Sequence, residues 1–104
     1  MNGERRGNPR IAVQQQVSIS LGNGGDITGT TENISRSGAF LYCDRFILLG
    51  TKLRLLLVLP EEMNDSGSVQ ASCLSKVVRL ENQLKEGKFG LALEFLNIET
   101  FPRA

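Results

Sequence analysis

The sequence predicts an all-β fold. Apolar and polar residues alternate with period two along much of the chain, short Gly- and Asn-rich stretches punctuate that alternation, and a helical apolar period is nearly absent. Six strand candidates result, joined by short polar turns. Their spacing fits a closed barrel or a sandwich, and closure protects sheet edges from aggregation.

Residues 1–10 are polar, contain two Gly and one Pro and lack periodicity, so they read as a flexible arm. Alternation starts at Ile11 and continues through Val13, Val17, Ile19 and Leu21; Gln15 interrupts it and marks a bulge or a strand end. Residues 22–25 (GNGG) suit a turn because they tolerate positive φ. Residues 27–34 form a Thr-rich second strand, 35–38 (SRSG) a tight turn that asks for Gly38 at positive φ, and 39–43 a short third strand. Residues 44–50 form a connector, with room for one helical turn ended by Gly50. In 51–59, Leu53, Leu55, Leu57 and Leu59 line one face, while Leu56 and Val58 make the other apolar, which predicts cover on both sides. Residues 69–80 change parity, with Val69, Ala71 and Cys73 on one side and Val78 and Leu80 on the other, as a bulge produces. A charged hairpin loop spans 81–88, and Phe89, Leu91, Leu93 and Phe95 alternate in the last strand. The expected organisation is an arm over 1–10, one domain over 11–96 and a short tail over 97–104 in which Pro102 limits any helix.

A chain of 104 residues supports one core without metal or disulfide staples. The net charge of +1 offers no strong field to a nucleic-acid polymer or an anionic membrane. Eight of the twelve basic residues are Arg, and Arg5, Arg6 and Arg10 cluster in the arm, which suits one small anionic partner. The absence of His removes the commonest general base and metal ligand. No base–nucleophile pair, carboxylate pair or metal cluster stands out, so neither enzyme nor metal site is expected. Cys43 and Cys73, thirty residues apart in apolar segments, read as reduced core thiols or, in an oxidising compartment, as a disulfide. No stretch is apolar enough for a signal peptide or a membrane span, so a cytoplasmic location is expected.

Two short segments carry the chemistry. In Arg6-Gly7-Asn8-Pro9-Arg10 the proline disfavours a helix, so the two guanidiniums can close on a ligand from different directions. Guanidinium forks match phosphate oxygens and the O6 and N7 of guanine. In Asn33-Ile34-Ser35-Arg36-Ser37-Gly38, side-chain and backbone polar groups can point into one hollow, and Asn33 offers both donor and acceptor to a purine edge. A solvated charge cluster and a plain β-turn are the competing readings.

Together, RxxxR before the first strand and NxSxxG between the second and third strands resemble the PilZ domain family. Gly90-Leu91-Ala92-Leu93-Glu94-Phe95 is similar to the family's closing strand, and Leu48-Leu49-Gly50 ahead of 52–59 and Pro60 fits as well. The resemblance covers residues 4–96 and implies a six-stranded antiparallel β-barrel that binds cyclic di-GMP between arm and outer surface. Carried over, Arg6 and Arg10 hold guanine edges and phosphates, Asn33 and Ser35 meet a base and a phosphate, and Gly38 keeps the turn open. Arg5 and Arg36 sit at neighbouring positions, with phosphate contact and a solvated role equally open. The family usually continues into a C-terminal helix, which 97–104 leave little room for. The resemblance implies output through contact with another protein or a second copy. Two rivals remain. One is an adaptor with the same barrel that binds no nucleotide. The other is a single-stranded nucleic-acid barrel, which needs stacking aromatics on a basic groove, whereas here five Phe and one Tyr sit mostly at positions that read as buried.

Overall fold

The computed structural model describes residues 9–22, 25–63, 67–81 and 84–101. Seven strands form one antiparallel sheet: β1 (Ile11–Ala12), β2 (Gln16–Ser20), β3 (Asp26–Ile34), β4 (Gly38–Cys43), β5 (Lys52–Leu59), β6 (Val69–Leu80) and β7 (Phe89–Phe101). Their order is β1-β3-β2-β5-β6-β7-β4, and β4 returns to pair with β3. Strands β2 to β7 thus close a six-stranded barrel, and β1 is an extra strand laid along the end of β3. The 3-10 turn Glu61–Met63 is the one helical piece among the described residues.

Period-two alternation fills the barrel. Ile19, Ile34, Leu41, Leu55 and Leu91 are wholly buried at its centre. Around them pack Leu53, Leu57, Val77, Leu93 and the free thiols Cys43 and Cys73. Burial raises both thiol pKa values, that of Cys73 to about 11, with Arg54 pulling weakly the other way.

The first strand is broken rather than continuous. The chain leaves the ladder at 13–15, and buried Thr31 spans the gap: its hydroxyl accepts from the Gln15 N–H (3.0 Å) and donates to the Val13 carbonyl (2.6 Å). The Gln15 side chain then supplies a missing ladder rung, donating to the Val58 carbonyl (2.7 Å) and accepting from its N–H (2.9 Å).

Several expectations are corrected. Leu56 and Val58 are exposed, so β5 is covered on its inner face only. The connector 44–50 forms no helical turn; Ile47 anchors it in the core, and Gly50 at φ +87° turns it into β5. The parity change in β6 is real, but Val78 is the extra bulge residue and faces water; Leu80 returns to the core side. The boundary at 96 is also corrected, because β7 runs on to Phe101. A second bulge at Leu96 shifts the phase, so that Ile98 rather than Asn97 follows Phe95 inward and pairs with Cys73. Beyond 101, the tail lies outside the described residues, as do 1–8 of the arm.

Candidate functional site at the arm corner

The corner is built by a third bulge. Against β4, Thr31 pairs with Leu41 and Asn33 with Phe40, so Glu32 is the extra residue on β3. Without it, Asn33 would share the inward side of Thr31. With it, Ile34 fills the core and Asn33 turns to the outer face, between Ala12 of β1 and Phe40 of β4. Arg10, one residue before β1, donates from Nη1 to Asn33 Oδ1 at 2.6 Å. The structure thereby brings together one residue from each sequence motif.

The turn after β3 is held from inside. The Ser35 N–H donates to the Gly38 carbonyl at 2.8 Å. The Ser35 hydroxyl, 2% exposed, accepts from the Ser37 N–H at 3.2 Å and lies 3.2 Å from the Ser37 hydroxyl. The Ser37 carbonyl accepts from the Phe95 N–H at 2.8 Å, tying the turn to β7. Ser35 as found therefore shapes the turn. Arg36 is exposed and makes no hydrogen bond or ion pair with the described residues.

Gly38 is required for a different reason than expected. It is not at positive φ. It opens β4, and a Cβ there would lie 2.0 Å from the Leu93 carbonyl oxygen, so the close approach of β4 to β7 demands glycine. Arg5 and Arg6 lie outside the described residues.

Next to the corner, a cleft of about 390 Å³ follows the outer faces of β3 and β4. Glu32, Tyr42, Asp44, Lys85 and Lys88 line it. Its cations are already matched: Lys85 pairs with Glu32 at 3.4 Å and Lys88 with Asp44 at 2.7 Å, a bond that raises the Lys88 pKa. Arg10 is different, because among the described residues its side-chain partner is the neutral amide of Asn33 and no carboxylate pairs with it.

Sequence reasoning missed the outward aromatics. Phe40 and Tyr42 meet edge to face at 5.2 Å on the outer surface, over Gly90, where a Cβ would lie 2.9 and 3.0 Å from their rings. Arg79 stands over Phe40 at 5.7 Å and Lys85 over Tyr42 at 5.2 Å. The signal was present in the even parity of Phe40 and Tyr42 against the inward odd residues of β4. Nor are the Phe residues mostly buried: Phe46 and Phe101 are exposed, and Phe89 and Phe95 only partly covered.

The PilZ domain family model matches residues 4–101, a stretch that contains RxxxR ahead of β1 in the sequence and NxSxxG at the β3–β4 turn. The chain belongs to the PilZ domain family. Among solved structures, the PilZ barrel resembles that of Bacillus subtilis inhibitor of motility (MotI/DgrA), with a TM-score of 0.73 and 28% identity. The similarity covers 91% of this chain and 44% of that protein, so this PilZ chain spans less than half of its relative's length. No curated protein sequence matches it. PilZ domains are receptor and adaptor domains rather than enzymes.

Proposed function

We propose that this domain is a cyclic di-GMP receptor of the cytoplasm that passes the second-messenger level on through protein contacts. The observation that carries the reading is the 2.6 Å hydrogen bond from Arg10 to Asn33, which joins the two motifs at one corner of a PilZ barrel. On binding, a guanine edge and a phosphate replace this mutual bond. Arg6 and Arg10 grip the ligand, Asn33 reads the base, and Ser35 and Gly38 hold the turn against which it rests. Arg5 and Arg36 add charge nearby. Closure of the arm changes the surface offered to a downstream protein or a second copy. No cofactor or metal enters this scheme, nor a nucleic-acid polymer; no helix among the described residues is long and apolar enough to cross a membrane.

The test is calorimetry with cyclic di-GMP on the wild type and on Arg6→Ala, Arg10→Ala and Asn33→Ala. A lost bidentate contact to guanine costs about 1–3 kcal/mol, so each variant is expected to bind roughly 5- to 150-fold more weakly. Melting temperatures should barely move, because an exposed polar pair contributes about 0–1 kcal/mol to stability. Wild-type affinity in all three variants would refute the site.

The second reading, an adaptor that binds no nucleotide, is favoured by one feature. Leu56, Val58 and Phe101 are exposed apolar residues that line a second cleft, of about 270 Å³, along β2, β5 and β6. A flat calorimetric trace for the wild type would transfer the assignment to this reading.

A further inference from the structure

The connector 44–50 is sunk into the barrel at one residue and turned outward around it. Ile47 is buried in the core, while Phe46, Leu48 and Leu49 beside it are 54%, 67% and 61% exposed. Leu48 and Leu49 are the two most exposed large apolar side chains among the described residues. A tight turn causes this. The Thr51 N–H donates to the Leu48 carbonyl at 3.1 Å, and Gly50 takes φ +87°, which puts Leu49 at the corner beside Leu48. A Cβ added at Gly50 would meet nothing within 4 Å, so the corner stands clear of the wall. Its base is fixed: the Gly50 N–H donates to the Val77 carbonyl at 2.8 Å, and the Val77 N–H to the Thr51 carbonyl at 2.9 Å. The Phe46 ring is steadied edge to face by Phe89 at 5.7 Å.

Cations border this tip. Arg45 precedes Phe46, and Lys52 opens β5 two residues after Gly50. Lys76, next to Val77 in β6, is the cross-strand partner of Lys52. Like charges directly opposite each other destabilise a sheet. Arg45, Lys52 and Lys76 are exposed, and none forms an ion pair among the described residues. Of the carboxylates nearby, Asp44 is held by Lys88, and Glu94 stands opposite Lys76 on β7. The local balance is therefore positive, although the whole chain carries only +1.

Neither cleft described above includes Phe46, Leu48 or Leu49, so the tip is a protrusion rather than a groove. A protruding apolar tip with a cationic margin is complementary to an anionic bilayer, whose interface takes up apolar side chains and whose headgroups attract Lys and Arg. We infer that the tip over 46–49 inserts shallowly into an anionic membrane surface, with Arg45, Lys52 and Lys76 at the headgroups. Lysine stems lie along apolar surface while their ammonium groups stay in water, which suits this margin. The contact is interfacial and reversible. It goes beyond the receptor reading and does not depend on it.

The experiment is co-sedimentation with lipid vesicles, without nucleotide, of the wild type, Leu48→Ser/Leu49→Ser and Lys52→Gln/Lys76→Gln. Leu56→Ser/Val58→Ser, on the second cleft, is the control. All six side chains are exposed, and an unchanged melting temperature checks that each variant is folded. The wild type is expected to prefer vesicles containing phosphatidylglycerol over pure phosphatidylcholine by about tenfold or more, and to be released by about 0.5 M salt. Leu48→Ser/Leu49→Ser is expected to bind about tenfold more weakly. Lys52→Gln/Lys76→Gln should lose roughly fivefold per charge, and the control nothing. If the leucine variant binds as the wild type, the contact is electrostatic alone and the insertion is wrong. Equal binding to neutral and anionic vesicles, an undiminished lysine variant or an equal loss in the control also overturns it. A wild type that stays in solution with both vesicles rules out the membrane and leaves the tip to a protein.

Discussion

Arg10 and Asn33 satisfy each other before any ligand arrives. An exposed hydrogen bond of this kind contributes only about 0–1 kcal/mol to stability, so a ligand gives up little in replacing it, and it holds the guanidinium beside its future partner and lowers the ordering cost of binding. Ser35 and Gly38 act differently, through the shape of the turn. At the same scale, Cys73 carries a pH signature. Burial raises its pKa from 9.0 to about 11, so between these values the folded thiol keeps a proton that the unfolded one has released. Its contribution is full below pH 9 and is lost as pH rises through about 11. The melting temperature of the wild type is expected to fall more steeply over this window than that of Cys73→Ala; parallel curves would contradict it.

Strands and turns are arranged by their irregularities. Glu32, Val78 and Leu96 are each one residue too many for the ladder, and each resets which neighbours face the core. A strict period-two reading follows β5 and most of β4, β6 and β7, where alternation is unbroken. It loses β7 after Phe95, because the phase changes there and Ile98 looks misplaced until Cys73 is known to lie opposite. It also misjudges Leu56 and Val58, since local hydropathy does not say what covers a face. Thr31 binds the broken first strand to β3 and gives an element-scale prediction. Thr31→Val keeps the volume but leaves the Gln15 N–H and Val13 carbonyl short of a partner. A cost of about 1–3 kcal/mol is expected, read as a lower urea midpoint; an unchanged midpoint would show that the backbone heals the gap another way.

Across the whole molecule, barrel closure assembles what the chain scatters. Arg10 and Asn33 are legible from sequence, because RxxxR and NxSxxG are short motifs with fixed spacing. Arg79 and Phe40 are not, because they meet only when β6, β7 and β4 pair in register, and no local pattern records that register. Net charge near zero leaves attraction for an anionic ligand to this local set of arginines. The most direct measurement is a titration of ¹⁵N-labelled protein with cyclic di-GMP, following the Asn33 side-chain amide and the Arg10 guanidinium in one spectrum. Both signals are expected to shift together and saturate at the same ligand concentration, as the bond between them gives way to the nucleotide. Saturable shifts elsewhere on the barrel, with Arg10 and Asn33 unmoved, would contradict it.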